Sequence, residues 1–512
     1  MSKRALAPAL VFLAPVVLFG ALRWFSPGLV ERDGYFHARY AAMMPERGLS
    51  RRFEWTTESV WKDRFADKEF LYHLMMGPFT WGSENPVRGA AMFSALLAGG
   101  VFLAFYFLLA LNKVPLPALF ALLLGGMGGP FMLRLHFIRP HSLAILLSIA
   151  GLHFLLRRDA KLTAAVGFVL SWSYSFPWVL PAIALPLMLG RWWAEGKLDW
   201  RAPAAALGGV FAGLIFHPYF PNSIESALTY FDVLRLAAGP RAWAAVEVGR
   251  EFAPYSTRAF LLAYPLMSAA ILGLGLAGWR SERKLSGEAM GLFCAAAAAF
   301  LATLVFARCI EYAAPLTAAA LAFAVRDQFG DAGFEKIRTL LRRNTGKAAA
   351  AALFVFLFHA HSFIYLVGMN AKGEPPRFRG AAEWMAENLE AGETVVNLWW
   401  DDFPDLFYDA HRQRFLVGLD PAHMLRASPE KARKVEGMRL GREPIDADWL
   451  AKTFGARTMV VRTTNARFYP QLIAGPWRPV YHDEQAAVFA LSGPAGPPAE
   501  LKGLPQIPAL KD

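Results

Sequence analysis

Long apolar runs recur through the first 370 or so residues, and they limit the chain to one class of fold. A bilayer core takes about 20 apolar residues per helix, fewer where a span is short or enclosed by neighbours. Runs of that kind fall at residues 5–25, 89–111, 116–133, 142–156, 162–175, 177–190, 202–217, 259–279, 287–306, 309–325 and 348–369. They predict a polytopic α-helical membrane protein with about eleven transmembrane helices. Pro177 and Pro181 leave 162–190 open as one broken helix or two short ones. With 55% hydrophobic and only 18% charged residues, an ordinary soluble protein is excluded.

A net charge of +12 would suit nucleic acid, but the basic residues stand in short clusters between apolar runs, with no patch of interleaved aromatics. No nucleic-acid partner is expected, and the clusters read as a topology signal. With Lys3 and Arg4 cytoplasmic, alternate loops carry Lys113; Arg157, Arg158 and Lys161; Arg191, Lys197 and Arg201; Arg280, Arg283 and Lys284; and Arg326 through Lys347. The other side then holds 26–88, 134–141, 218–258 and everything after about residue 370. The expected setting is the cell (inner) membrane, among its lipids, with the N-terminus cytoplasmic. Residues 5–25 lack a small-residue cleavage site and read as an uncleaved anchor. Cys294 and Cys309 lie in or beside apolar runs, which argues against a disulfide framework or a cysteine metal site.

The composition changes near residue 370. A helical pattern around Trp384, Met385 and Leu389 precedes buried-strand patterns at 394–398, 458–461 and 486–491. The expected domains are a transmembrane portion over 1–369, a small extracytoplasmic α/β domain over 370–491 and a Pro-rich tail over 492–512.

The outer segments hold most residues capable of chemistry. Asp33 and His37 are four apart, and on a helix they share a face. A carboxylate and an imidazole so placed suit a divalent cation or proton transfer, whereas an Asp opening a helix also serves as its cap. Glu69 and His73 repeat the spacing, with a solvated interfacial helix as the plainer reading. The loop 134–141 carries Arg134, His136, Arg139 and His141 on the side where topology asks for no positive charge. Guanidinium groups there grip phosphate or snorkel to headgroups. In the loop 218–258, Glu247 reads as a surface ion-pair partner and Glu251 precedes Phe252-Ala253-Pro254. Arg308 and Glu311, three apart, either pair with each other or leave Arg308 to a phosphate. Trp399, Trp400 and Asp401 follow a predicted strand, where the indoles stack on a sugar or close the domain's core.

Taken in order, Asp33-Gly34-Tyr35-Phe36-His37, Glu251 before Phe-Ala-Pro, and Trp399-Trp400-Asp401 resemble the GT-C glycosyltransferases, most nearly the catalytic subunits of oligosaccharyltransferases. The resemblance implies a transferase taking a sugar from a polyprenyl-phosphate-linked donor to a glycan, lipid or protein acceptor. It implies Asp33 and Glu251 as catalytic residues, with which Glu69 is counted from its spacing to His73, Asp33 and His37 as ligands of a divalent metal (Mg or Mn), and Trp399, Trp400 and Asp401 as acceptor-binding residues. Arg139, His141 and Arg308 would bind the donor phosphate. Two departures stand out. Asp402-Phe403 follows the Trp-Trp-Asp where the family has Tyr-Gly, and the second outer loop is basic where the family has paired acids. These favour transfer of one sugar over transfer of an oligosaccharide to asparagine; a transporter or a membrane scaffold with a sensing domain is the non-enzymatic alternative.

Overall fold

In the computed structural model the described residues are 3–238, 250–280 and 285–491. Glu247 and the tail 492–512 lie outside them. The chain forms two compact units. One draws on the chain up to Val30, on Asp67–Tyr230 and on Arg250–Gly373; the other on Glu31–Ala66, on residues from Phe231 and on the chain from Glu374.

The first unit is helical. Leu6–Trp24, Pro86–Leu111, Gly287–Val305, Ala307–Gly330 and Thr345–Asn370 are long and apolar enough to cross a membrane, and two bent pairs bring the number to as many as seven. The protein is thus a polytopic membrane protein, and the expected count of about eleven spans is not reached by this measure. Two of the expected spans form the shorter apolar helices His141–Leu156 and Arg201–Ile215. Residues 162–190 resolve into Ala160–Ser173 and Val179–Glu195, parted where Tyr174 becomes extended ahead of Pro177.

The expected span 116–133 breaks into Pro117–Gly125 and Gly129–His136, bent by 88°. Glycine permits the break, because a Cβ on Gly128 would run into the Tyr264 ring and one on Gly129 into Tyr365. The span 259–279 likewise divides at Pro265 into Thr257–Ala263 and a second limb at 92°. Elsewhere glycine brings helices close: Gly209 and Gly213 on Arg201–Ile215 face the backbone of Ala164 and Phe168, with no room for a side chain between. This is the small-residue packing that membrane helices use where lipid supplies no hydrophobic drive.

In the second unit, 31–66 packs with the C-terminal chain. The helix Asp33–Arg47 buries Tyr35, Phe36 and Tyr40, and Phe36 meets Phe53, Phe403 and Phe407 at centroid distances of 6.2, 6.3 and 5.2 Å. Arg32 donates Nε to Asp405 Oδ2 at 2.8 Å and Nη2 to Oδ1, while Nη1 and Nη2 reach the carbonyls of Glu374 and Pro375. The sheet comprises β1 Thr394–Val396, β2 Arg414–Phe415, β3 Thr458–Arg462, β4 Trp477–His482 and β5 Ala486–Leu491 in the order β2-β1-β3-β5-β4. β1 is parallel to β2 and β3, and β5 is antiparallel to β3 and β4. Two strands escaped the sequence pattern: β2 has two residues, and Pro479 interrupts β4 at a register shift.

One carboxyl in this unit opposes its own ionisation. Burial pushes Asp409 up to about 6. An unfolded Asp titrates near ~3.9, so between roughly pH 4 and 6 the folded state holds more protons and stability falls as pH rises. Asp409→Asn is expected to raise stability by roughly 1–2 kcal/mol at pH 7 and by little at pH 4, read as thermal midpoints of the full chain in nanodiscs.

Candidate functional site

Three arginines and two glutamates from separate stretches of sequence converge inside the first unit. Arg134, near the end of Gly129–His136, donates Nε to Glu311 Oε1 at 2.8 Å and Nη1 to Glu251 Oε2 at 2.7 Å. Arg139 Nη1 reaches the same Glu251 oxygen at 2.9 Å, and Arg308 Nη1 reaches Glu251 Oε1 at 2.9 Å. The expected Arg308–Glu311 pair also forms, at 3.6 Å. Tyr174 joins them, accepting from Arg308 Nη2 at 3.0 Å and donating to Glu311 Oε2 at 3.1 Å.

Three guanidiniums against two carboxylates leave one positive charge in excess. The cluster is graded in depth: Glu311 is 0% and Arg134 9% exposed, against 12% for Arg308, 16% for Arg139 and 22% for Glu251. Burial alone would push Glu251 up, but Arg139, Arg308 and Arg134 outweigh it and hold its carboxyl well below the usual range. The rings of Tyr174, Tyr230 and Phe252 lie 5.7, 6.0 and 5.6 Å from the Arg308 guanidinium carbon, shielding it from water. His141 is fully buried, and its Nε2–H is given to the Arg134 carbonyl. It therefore supports Arg134 from behind. What the sequence showed as a loop, 134–141, is largely two helix ends, since Arg134 and His136 close one helix and His141 opens the next.

Glu69 is buried in the same unit. Lys68 lies 3.8 Å from its carboxylate, and burial raises the Glu69 carboxyl. The expected Glu69–His73 pairing gives way to another. His73 Nδ1 meets Asp67 at 2.9 and 3.0 Å, because Glu69 stands at the cap position of Phe70–Thr80 and Asp67 is held by the Glu69 N–H.

Asp33 and His37 belong to the second unit. Asp33 is the first residue of its helix, and the cap position before it is Arg32, whose side chain makes no cap bond. An acid in the first turn still favours the helix dipole. His37 is buried, edge-on to Phe36. Among the described residues no group of three His, Cys, Asp or Glu side chains gathers to hold a metal ion.

After β1, Asn397 organises the chain. Its side-chain nitrogen donates to the carbonyls of Val417 and Trp399, and its oxygen accepts from the N–H groups of Leu416 and Val417. Trp399 is buried in the domain core, its ring 5.2 Å from Phe468. Trp400 is half-buried against that core, and Asp401 is 43% exposed, 3.1 Å from Arg462 Nη2. Arg462 also meets buried Asp402 at 2.7 Å. Of the three, Trp400 and Asp401 keep exposed surface.

Sequence reasoning missed Tyr174, Arg462 and the Arg32–Asp405 pair.

The fold is shared with several solved structures. Among solved structures, the chain is similar to the oligosaccharyltransferase of Archaeoglobus fulgidus, at 13% identity and TM-score 0.65, over 96% of this chain and 75% of that one. It is also similar to ArnT from Cupriavidus metallidurans bound to undecaprenyl phosphate, at 15% identity and TM-score 0.59, over 96% and 99%. The mycobacterial arabinofuranosyltransferase AftD aligns at 15% identity and TM-score 0.55, over 96% of this chain and 40% of its own. No family model and no curated protein sequence matches.

Proposed function

We propose that the chain is a glycosyltransferase of the extracytoplasmic face of the inner membrane, moving one sugar from a polyprenyl-phosphate-linked donor to a glycan, lipid or protein acceptor. The observation that carries this reading is the buried arginine cluster with its excess positive charge, set in a fold it shares with ArnT, whose structure holds undecaprenyl phosphate. Arg139 and Arg308 are the outer cations of the cluster, and a lipid phosphate would take the place that Glu251 now holds between them. They would stabilise the phosphate as it leaves.

Asp33 is assigned as general base. The acceptor oxygen attacks the anomeric carbon, the bond from that carbon to the phosphate oxygen breaks, the proton passes to the Asp33 carboxylate and polyprenyl phosphate departs, with inversion. Glu69, with its raised pKa, and Glu251 are assigned to the same chemistry. Trp400 and Asp401 are assigned to the acceptor. A divalent ion, Mg or Mn, would need at least one ligand beyond Asp33 and His37, and no step here is routed through one. Transfer to protein asparagine is disfavoured, because Asp402-Phe403 follows the Trp-Trp-Asp.

The test is transfer by the full chain in nanodiscs from undecaprenyl-phosphate-linked, radiolabelled sugars to membrane glycans, lipids and proteins. Label should appear in one acceptor class, and Arg139→Ala should raise the donor KM about tenfold or more, the worth of one hydrogen bond to a charged group. Failure of every donor to transfer, or an unchanged KM in the variant, would overturn the reading.

A further inference from the structure

The two carboxylates of the arginine cluster are held in different ways. Glu311 lies deepest and accepts both from Arg134 and from the Tyr174 hydroxyl. Glu251 is the most exposed of the five charged members, and it sits on a single turn of 3-10 helix, Arg250–Phe252. Among the described residues, every hydrogen bond to its carboxylate comes from a guanidinium: Oε2 accepts from Arg134 and Arg139, and Oε1 from Arg308 and, at 3.5 Å, from Arg139. Guanidiniums bind carboxylate and phosphate in the same planar, paired geometry. The arginines that hold Glu251 therefore suit either anion. The two lipid phosphates of the proposed reaction differ in charge. The donor is a phosphodiester with a single negative charge, whereas the product is a monoester with about −1.5 to −2 at pH 7. The same three cations grip the product harder than the donor, so its departure is the step that needs help.

We propose that Glu251 is an internal competitor for the phosphate site: its carboxylate leaves Arg139 and Arg308 as the donor phosphate arrives, and returns to displace polyprenyl phosphate after transfer. The proposal deepens the phosphate reading of the cluster and rests on it. One anion replaces another, and no proton moves in the exchange. Glu311 stays in place throughout as the fixed counter-charge. Because Glu251 is tethered, it competes at a high effective concentration, and it lowers the apparent affinity for phosphate by the fraction of molecules in which it fills the site.

The experiment measures the affinity and the dissociation rate of radiolabelled undecaprenyl phosphate on the full chain in nanodiscs, for the wild type, Glu251→Gln and Glu251→Asp. Glu251→Gln keeps the shape and removes the charge, so the lipid should bind about tenfold or more tightly and leave more slowly. Glu251→Asp keeps the charge on a shorter arm and should fall between the two. Thermal midpoints without lipid establish that each variant is folded. Unchanged or weaker binding by folded Glu251→Gln, with the wild type binding normally, means that the carboxylate holds the arginines in position; it overturns the inference and leaves the phosphate reading standing. Tighter binding with an unchanged dissociation rate overturns the displacement step. If Glu251→Gln does not fold, Glu251→Asp decides, and wild-type affinity in that variant overturns the inference. If undecaprenyl phosphate binds to neither the wild type nor the variants, the phosphate reading falls and takes this one with it.

Discussion

Asp33→Asn should lower sugar transfer by ~10²–10⁴-fold, the usual contribution of a positioned acid or base, with the thermal midpoint little changed. The substitution is nearly isosteric, and it removes only the ability to take a proton. The structure separates the two roles open to this residue. Had Asp33 been the cap of Asp33–Arg47, its loss would be felt first as stability, by about 1 kcal/mol. It is the first helical residue, and the cap position is Arg32, whose side chain makes no cap bond. The loss should therefore appear in kcat, with the donor KM nearly constant, if the phosphate is held by Arg139 and Arg308 as proposed. Normal transfer by Asp33→Asn, or a large fall in stability without one in turnover, would remove Asp33 from the reaction.

The sequence made some of this visible and concealed the rest for identifiable reasons. Periodicity exposed the apolar helices and three of the five strands, since those depend on neighbours close in sequence. It joined Pro117–Gly125 to Gly129–His136 into one span because hydropathy does not register an 88° bend, and the glycines that permit it touch Tyr264 and Tyr365, more than a hundred residues away. It read 134–141 as a basic loop and so singled out Arg134 and Arg139, but their partners lie at Glu251 and Glu311. Helical spacing paired His73 with Glu69 and lost to Asp67, whose position before the helix no periodicity describes. Trp399 and Trp400 look alike in the sequence, yet one is in the core beside Phe468 and the other keeps part of its surface. Burial on one side of a strand end is decided by the layer packed there, which the local pattern does not contain.

Glu311→Ala should cost about 3–5 kcal/mol of stability, the range for removing one partner of a buried ion pair. Glu311 is fully buried, and it meets Arg134, Arg308 and Tyr174, so the substitution leaves three guanidiniums to share the single carboxylate of Glu251. The informative variant is the double one. Replacing both deep members, Arg134→Met with Glu311→Leu, takes away one charge of each sign and fills the space with apolar atoms, which for buried pairs is often neutral or stabilising. Arg139, Arg308 and Glu251 remain, and two cations against one anion still leave a single positive charge. If the depth of the cluster divides its labour, the double variant should regain most of the stability lost in Glu311→Ala and still bind undecaprenyl phosphate. Arg139→Ala should do the reverse, keeping its midpoint and losing the ligand. Thermal midpoints and lipid binding measured on the three variants decide it: loss of phosphate binding in the double variant would mean that the deep pair orients the outer arginines, and that the cluster acts as one unit.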